Sequence, residues 1–374
     1  MKFLFACGGT GGHICPALSM AGLVRERHPG AEILFVGAAG GMETKLVPRE
    51  GYPIETVNIK GLRHKLSPSA LLHNLKVAAG MAGSLSQAKR ILERFRPDVV
   101  VGTGGYACFP IVWQAARMRI PTACHESNAA PGVTTRILAG RVDKVMVSMA
   151  DAARAYRVPV EITGMPVRGA FAEVDKADAR RALGLDERPF VVSAFGSLGA
   201  RDMNTRMAEF IRLAVRDGGI QLLHAAGRAG MEWLPSLIRD KGIDLEAHPH
   251  IRVVEYIYDM PQVMNAADLV LCRAGASTLS ELTLTRTPAI LFPSPNVTGN
   301  HQEKNARVLE AAGAAALRFE RNTDGAVLYK LAGDMLSDRP RLDDMSRRLG
   351  ELATPDAAER IYRLLMSLRG KNGA

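Results

Sequence analysis

Short, almost continuously apolar runs alternate with helical stretches along the whole chain, and this alternation most limits what it can fold into. In the first half the runs are residues 2–6, 32–36, 98–101, 122–125 and 144–147. In the second half they are 190–194, 221–225, 251–255, 269–272 and 289–292. Apolar strands separated by helices belong to parallel sheets covered on both faces. The pattern also runs twice. Ala6-Cys7-Gly8-Gly9-Thr10-Gly11-Gly12 has a counterpart in Ala194-Phe195-Gly196-Ser197-Leu198-Gly199-Ala200, each after the first strand of its half. A chain of 374 residues also exceeds one ordinary core. The expectation is an α/β protein of two Rossmann-like domains, residues 1–163 and 164–353. Gly164-Met165-Pro166-Val167-Arg168 reads as the linker, punctuated by Gly and Pro. Thr354-Pro355-Asp356 reads as a helix start, with an N-cap, a first-position proline and an early acid. That helix, to about Leu368, is expected to return residues 354–374 to the first domain.

Gly8-Gly9-Thr10-Gly11-Gly12-His13 is the most informative local segment. It joins an apolar strand to a helix. Its glycines permit positive φ and close approach to a ligand, and the helix start favours negative charge. The spacing is neither a dinucleotide fingerprint nor a P-loop. A histidine closes the turn, which puts a base suited to neutral pH beside a ligand-sized gap; the plainer alternative is a capping or packing histidine.

The net charge of +10 favours an acidic partner. An aromatic share of 5% argues against a nucleic-acid binder that works by stacking. The five cysteines form no C-x-x-C pair, so neither a zinc site nor a disulfide framework is indicated. No D-x-D follows a strand, so no metal is expected to clamp a sugar nucleotide. A strand starts within three residues, so no signal peptide is expected, and no apolar run reaches the roughly 18–20 residues of a membrane span.

Three further segments sit at strand ends. In Cys272-Arg273-Ala274-Gly275-Ala276-Ser277-Thr278-Leu279-Ser280-Glu281, residues 276–278 would open a helix and offer N–H groups and hydroxyls to a diphosphate. Glu281 would accept from ribose hydroxyls, or merely cap the helix. His125-Glu126-Ser127-Asn128 lies at a carboxyl edge, where α/β proteins bind ligands; it is otherwise a polar loop. Gln302 and Asn305 share a helix face whose amides suit sugar hydroxyls, or face solvent. Between residues 67 and 92, Leu71, Leu72, Leu75, Met81 and Leu85 run beside Arg63, Lys65, Lys76, Lys89 and Arg90. This is either a stripe resting on anionic headgroups or a helix packed on its own sheet.

Together these motifs, with Gly104-Gly105-Tyr106, Pro166-Val167-Arg168 and His301-Gln302-Glu303-Lys304-Asn305-Ala306, resemble one family in order and spacing. It is the bacterial N-acetylglucosaminyltransferases that convert lipid I to lipid II in peptidoglycan synthesis. The resemblance spans essentially the whole chain. It implies a GT-B fold, two Rossmann-like domains facing across a deep cleft. UDP-N-acetylglucosamine would bind mainly the second domain, and lipid I the first, at the cytoplasmic face of the plasma membrane. By position, Thr10, Gly11, Gly12 and Asn128 would touch the sugar-donor side. Arg168 and Ser197 would serve the diphosphate, and the Ile257 backbone would read uracil. Ala276, Ser277, Thr278, Leu279, Ser280 and Glu281 would hold phosphate and ribose, and Gln302 the sugar. No cofactor or metal is implied; cell-wall synthesis and division proteins are implied partners. Leu198 and Ser127 depart from the glutamines usual in the family.

The implied reaction is inverting. The C4 hydroxyl of the muramic acid sugar attacks the anomeric carbon, and UDP leaves from the opposite face. His13 is the first candidate for the general base and Glu126 the second; such a base is worth about 10²–10⁴-fold. A non-hydrolysing UDP-sugar epimerase shares this architecture but needs carboxylates to move protons, where the first turn offers His13. A non-enzymatic nucleotide-binding regulator is a third reading.

Overall fold

The computed structural model describes residues 1–61, 68–167, 170–196 and 199–370. The chain divides into two compact units, Met1–Val167 with Thr354–Ala374, and Arg168–Ala353.

Among the described residues the first unit carries seven strands: β1 (Lys2–Ala6), β2 (Glu32–Ala38), β3 (Ile54–Val57), β4 (Val99–Gly102), β5 (Thr122–Glu126), β6 (Lys144–Val147) and β7 (Glu161–Ile162). Their order is β3-β2-β1-β4-β5-β6-β7, with every pairing parallel. Successive side chains of a strand point to opposite faces, and β1 shows why its run is apolar throughout. Phe3 and Phe5 enter one core with Ile361, Leu365 and Leu368 of the last helix. Leu4 and Ala6 enter the other, with Leu92 and Ile111.

That last helix spans Ala357–Arg369. It docks on Gly11–Arg27 through Arg27–Glu359 at 2.9 Å and His28–Tyr362 at 2.7 Å. It begins later than the Thr-Pro-Asp signal predicts, with Asp356 at the N-cap. Thr354 lies instead against Gly164, where an added Cβ would sit 2.6 Å from the Thr354 Cβ. This packing keeps residues 164–167 with the first unit, a boundary later than residue 163.

The second unit carries β8 (Phe190–Ala194), β9 (Gln221–Ala225), β10 (Ile251–Val254), β11 (Leu269–Cys272), β12 (Ala289–Leu291) and β13 (Ala316–Leu317), in the order β10-β9-β8-β11-β12-β13 and all parallel. Three strands escaped the sequence reading: β3, β7 and β13. All three are sheet edges of two to four residues.

Candidate active site

In the first sheet the strand order reverses between β1 and β4. Loops leaving the carboxyl ends of two such strands diverge and open a crevice where ligands bind. The β1 turn leads into the helix Gly11–Arg27, so His13 is its third residue. The β4 turn supplies Thr103, Gly104 and Gly105, the two glycines at φ +101 and +82. His13 Nδ1 lies 3.1 Å from the Thr103 carbonyl oxygen, and the Thr103 hydroxyl donates to the His13 carbonyl oxygen at 2.6 Å. A carbonyl oxygen only accepts, so Nδ1 carries the proton and the neutral ring's lone pair falls on Nε2. Gly104 is required for space as well as φ, since a Cβ there would meet His13 Nδ1 at 2.6 Å.

A third strand end joins in. Pro16 lies inside the helix and has no N–H for the Gly12 carbonyl, four residues back. Ser127, just past β5, donates its hydroxyl to that carbonyl at 3.4 Å. Thr10 is the extended N-cap and makes no side-chain cap bond. Thr10, Gly11, Gly12, His13 and the His125–Asn128 segment are thus brought together.

Glu126 is placed otherwise than a base requires. It is 2% exposed at the end of β5. One oxygen accepts from the Asn128 N–H at 3.0 Å and the Asn128 amide at 3.2 Å. The other accepts from the Gly132 N–H at 2.9 Å and the Thr135 hydroxyl. Its lone pairs order the loop that carries Asn128. His125 is buried, its Nε2 3.2 Å from both the Gly164 carbonyl oxygen and the Ser148 hydroxyl. Burial pulls its pKa down to about 4.

The second sheet reverses between β8 and β11. The helix Ala276–Thr285 starts there at Gly275, an extended N-cap without a side chain to cap it. Ser277 Oγ is buried and has no hydrogen-bond partner among the described residues. An uncapped helix start beside an orphaned buried hydroxyl suits an anionic ligand. Thr278 and Ser280 are half-buried. Ala276 and Leu279 are buried side chains, so only their backbone is offered. Glu281 is the sixth helical residue, whereas a capping acid stands third after the N-cap. The capping alternative therefore fails. Burial, helped by the Glu281 charge, pushes the Cys272 thiol up to about 12.

Gln302 accepts from the Ser294 N–H at 2.8 Å through its side-chain oxygen, which aims its NH2 elsewhere. Asn305 differs from the expectation: it is fully buried and donates to the Ala274 carbonyl at 3.2 Å, fastening the helix His301–Ala311 to the Gly275 turn. Arg273 is also fastened there, by the Phe292 carbonyl at 3.0 Å and by Glu320. Ile257 is buried between exposed Tyr256 and Tyr258, whose rings lie 5.1 Å apart. Arg168, Ser197 and Leu198 lie outside the described residues.

In the helix Pro68–Phe95, Ala88, Ile91 and Leu92 pack in the core, while Leu71 and Leu72 are 65% and 56% exposed. Lys89 and Arg90 are exposed. Arg63 and Lys65, and the side chains of Leu75 and Lys76, lie outside the described residues. Among the described residues no helix is long and apolar enough to cross a membrane.

Thr103, Arg273 and Glu43 carry no role expected from the sequence, yet Glu43 is a buried acid whose carboxylate reaches the first glycine turn. Glu43 stands in an ordinary surface-helix pattern, so no local signal marks it. Thr103 follows β4 directly, and its place beside the glycine pair was the available clue.

Residues 3–147 match the glycosyltransferase family 28 N-terminal domain, and residues 190–361 match the glycosyltransferase family 28 C-terminal domain. The chain is 40% identical to the UDP-N-acetylglucosamine--N-acetylmuramyl-(pentapeptide) pyrophosphoryl-undecaprenol N-acetylglucosamine transferase of Acetivibrio thermocellus, over 100% of both chains. It is 41% identical to the transferase of that name from Ruminiclostridium cellulolyticum, over 98% of this chain and 100% of the relative. Among solved structures it resembles MurG of Acinetobacter baumannii, at a TM-score of 0.77 and 25% identity over 98% of this chain and 99% of that one. The UDP-GlcNAc 2-epimerase of Neisseria meningitidis, bound to UDP-GlcNAc, is likewise similar in fold, at a TM-score of 0.64 and 15% identity over 98% and 100% of the two chains. Paired family 28 domains and full-length identity near 40% give one conclusion: the chain belongs to glycosyltransferase family 28, among its UDP-N-acetylglucosamine–N-acetylmuramyl-(pentapeptide) pyrophosphoryl-undecaprenol N-acetylglucosamine transferases.

Proposed function

We infer that the protein moves N-acetylglucosamine from UDP-N-acetylglucosamine to the C4 hydroxyl of the muramic acid sugar of lipid I, with inversion, giving lipid II. Full-length identity near 40% to transferases of that name carries this reading. It also ranks the transferase above the epimerase, which shares fold alone.

The residues supply the chemistry as follows. His13 takes the proton of the attacking hydroxyl at Nε2. Thr103 holds the opposite nitrogen and stabilises the imidazolium as it forms. The C4 oxygen bonds the anomeric carbon as the bond to the UDP oxygen breaks. Charge then grows on the diphosphate, where the N–H groups of Ala276–Thr278 and the Ser277 hydroxyl receive it. Arg168 and Ser197 act on the same diphosphate. Glu281 holds the ribose, the Ile257 backbone the uracil and Gln302 the sugar. Thr10, Gly11, Gly12 and Asn128 are the proposed donor-sugar contacts of the first unit.

We place the protein peripherally on the cytoplasmic face of the membrane, with Leu71 and Leu72 as the apolar contact and neighbouring cations on anionic headgroups. Cell-wall synthesis and division proteins are its proposed partners there. Incubation with UDP-N-acetylglucosamine, with and without a lipid I analogue, tests the function. UDP release that needs the acceptor supports it; sugar interconversion without acceptor supports the epimerase.

A further inference from the structure

We propose that Glu43 is a positioning residue for the first glycine turn, and through it for the start of the helix that carries His13. The proposal rests on the transferase reading and adds a residue to it. Glu43 opens the helix Glu43–Arg49 and is fully buried, 0% exposed. No Lys, Arg or His pairs with it among the described residues. A buried carboxylate without a cation is costly unless hydrogen bonds replace its water. Here the backbone does so. One oxygen accepts from the Ala38 N–H at 2.8 Å, at the end of β2. The other accepts from the Gly9 N–H at 3.2 Å, in the turn after β1.

Three glycines make room for this side chain. A Cβ on Gly8 would stand 2.4 Å from a Glu43 oxygen, one on Gly37 2.3 Å from its Cγ, and one on Gly41 2.4 Å from an oxygen. Gly9 itself has φ +87. The carboxylate therefore fills the space beneath the turn and fixes one of its N–H groups. The turn ends at Thr10, and His13 N–H donates to the Thr10 carbonyl at 3.1 Å. Glu43 sets the turn, the turn sets the first helical residues, and these carry the base. It touches no reacting atom.

Glu43→Gln keeps the volume but turns an NH2 group toward one of the two N–H donors. Wild-type and variant enzyme are compared for kcat and KM on a lipid I analogue, for UDP affinity, and for amide exchange at Gly9. A displacement of about 1 Å by a residue outside the chemistry costs about 100-fold. We expect kcat to fall at least tenfold, UDP affinity to stay within twofold, and exchange to quicken at Gly9 before the β1 amides. A merely structural role moves kcat and UDP affinity only in proportion to the folded fraction, and overturns the proposal. Should the variant not fold, the wild type decides alone. Gly9 is solvent-exposed, so a Gly9 amide exchanging as fast as an open loop refutes the carboxylate bond, and a protected one supports it. A wild type without acceptor-dependent UDP release refutes the transferase reading instead.

Discussion

His13 and Thr103 hold each other by two hydrogen bonds: the imidazole Nδ1 to the Thr103 carbonyl oxygen at 3.1 Å, and the Thr103 hydroxyl to the His13 carbonyl oxygen at 2.6 Å. The pair spans the switch point of the first sheet and sets both the tautomer and the tilt of the ring. His13→Ala is expected to lower turnover by about 10²–10⁴-fold, the range for a general base, with UDP affinity nearly unchanged. Steady-state kinetics and UDP titration check this. A fall of less than about tenfold removes His13 from that role.

Glu281→Ala is expected to weaken UDP binding and to erode the preference for uridine over its 2′-deoxy analogue. Losing a charged hydrogen bond costs about 1.5–3 kcal/mol. Calorimetric titration with UDP and 2′-deoxy-UDP is the check. Undiminished discrimination places the carboxylate away from the ribose.

Two buried histidines give the fold a pH dependence. Burial lowers His125 and His224 each to about 4, below the unfolded value of about 6.5. Between those values the unfolded chain binds protons that the native chain does not, so stability falls as pH drops through the window. Each histidine contributes at most about 1.4 kcal/mol per pH unit. Urea unfolding at pH 7 and pH 5 should show the loss, and His224→Gln should flatten it. An equal slope in the variant contradicts the assignment.

Much of this was legible in the sequence. The central strands were, because their residues are buried on both faces and read as unbroken apolar runs. The edge strands β3, β7 and β13 were not, because one side has no partner and a two- to four-residue pairing leaves no period. The glycine turns and the 276–281 helix start announced themselves by small residues at strand ends. The hydrogen bonds that Glu126 accepts from Asn128, Gly132 and Thr135 were not legible, because a buried acid that orders a loop looks, in sequence, like any other acid at a strand end. Asn305 misled because a shared helix face with Gln302 does not say which side chain points inward. Glu43 makes its contact 34 residues away in sequence, and no local pattern encodes such a distance; Thr103, whose partner lies 90 residues away, offers only its place beside the glycine pair.

Leu71→Ser with Leu72→Ser is expected to reduce cosedimentation with anionic liposomes and activity on a long-chain acceptor, while activity on a short soluble acceptor persists. Both side chains are exposed and bury nothing in the core. A parallel fall of both activities, with loss of helical circular dichroism, assigns them to packing.

The central claim is acceptor-dependent glycosyl transfer, and the direct measurement follows UDP and sugar products together. Pure protein, UDP-N-acetylglucosamine and a lipid I analogue should yield one UDP per acceptor consumed, with a β-1,4-linked disaccharide as product. Omitting the acceptor should stop UDP release and leave the sugar nucleotide intact. Release at the same rate without acceptor, or conversion to an epimeric UDP-sugar, would contradict the account.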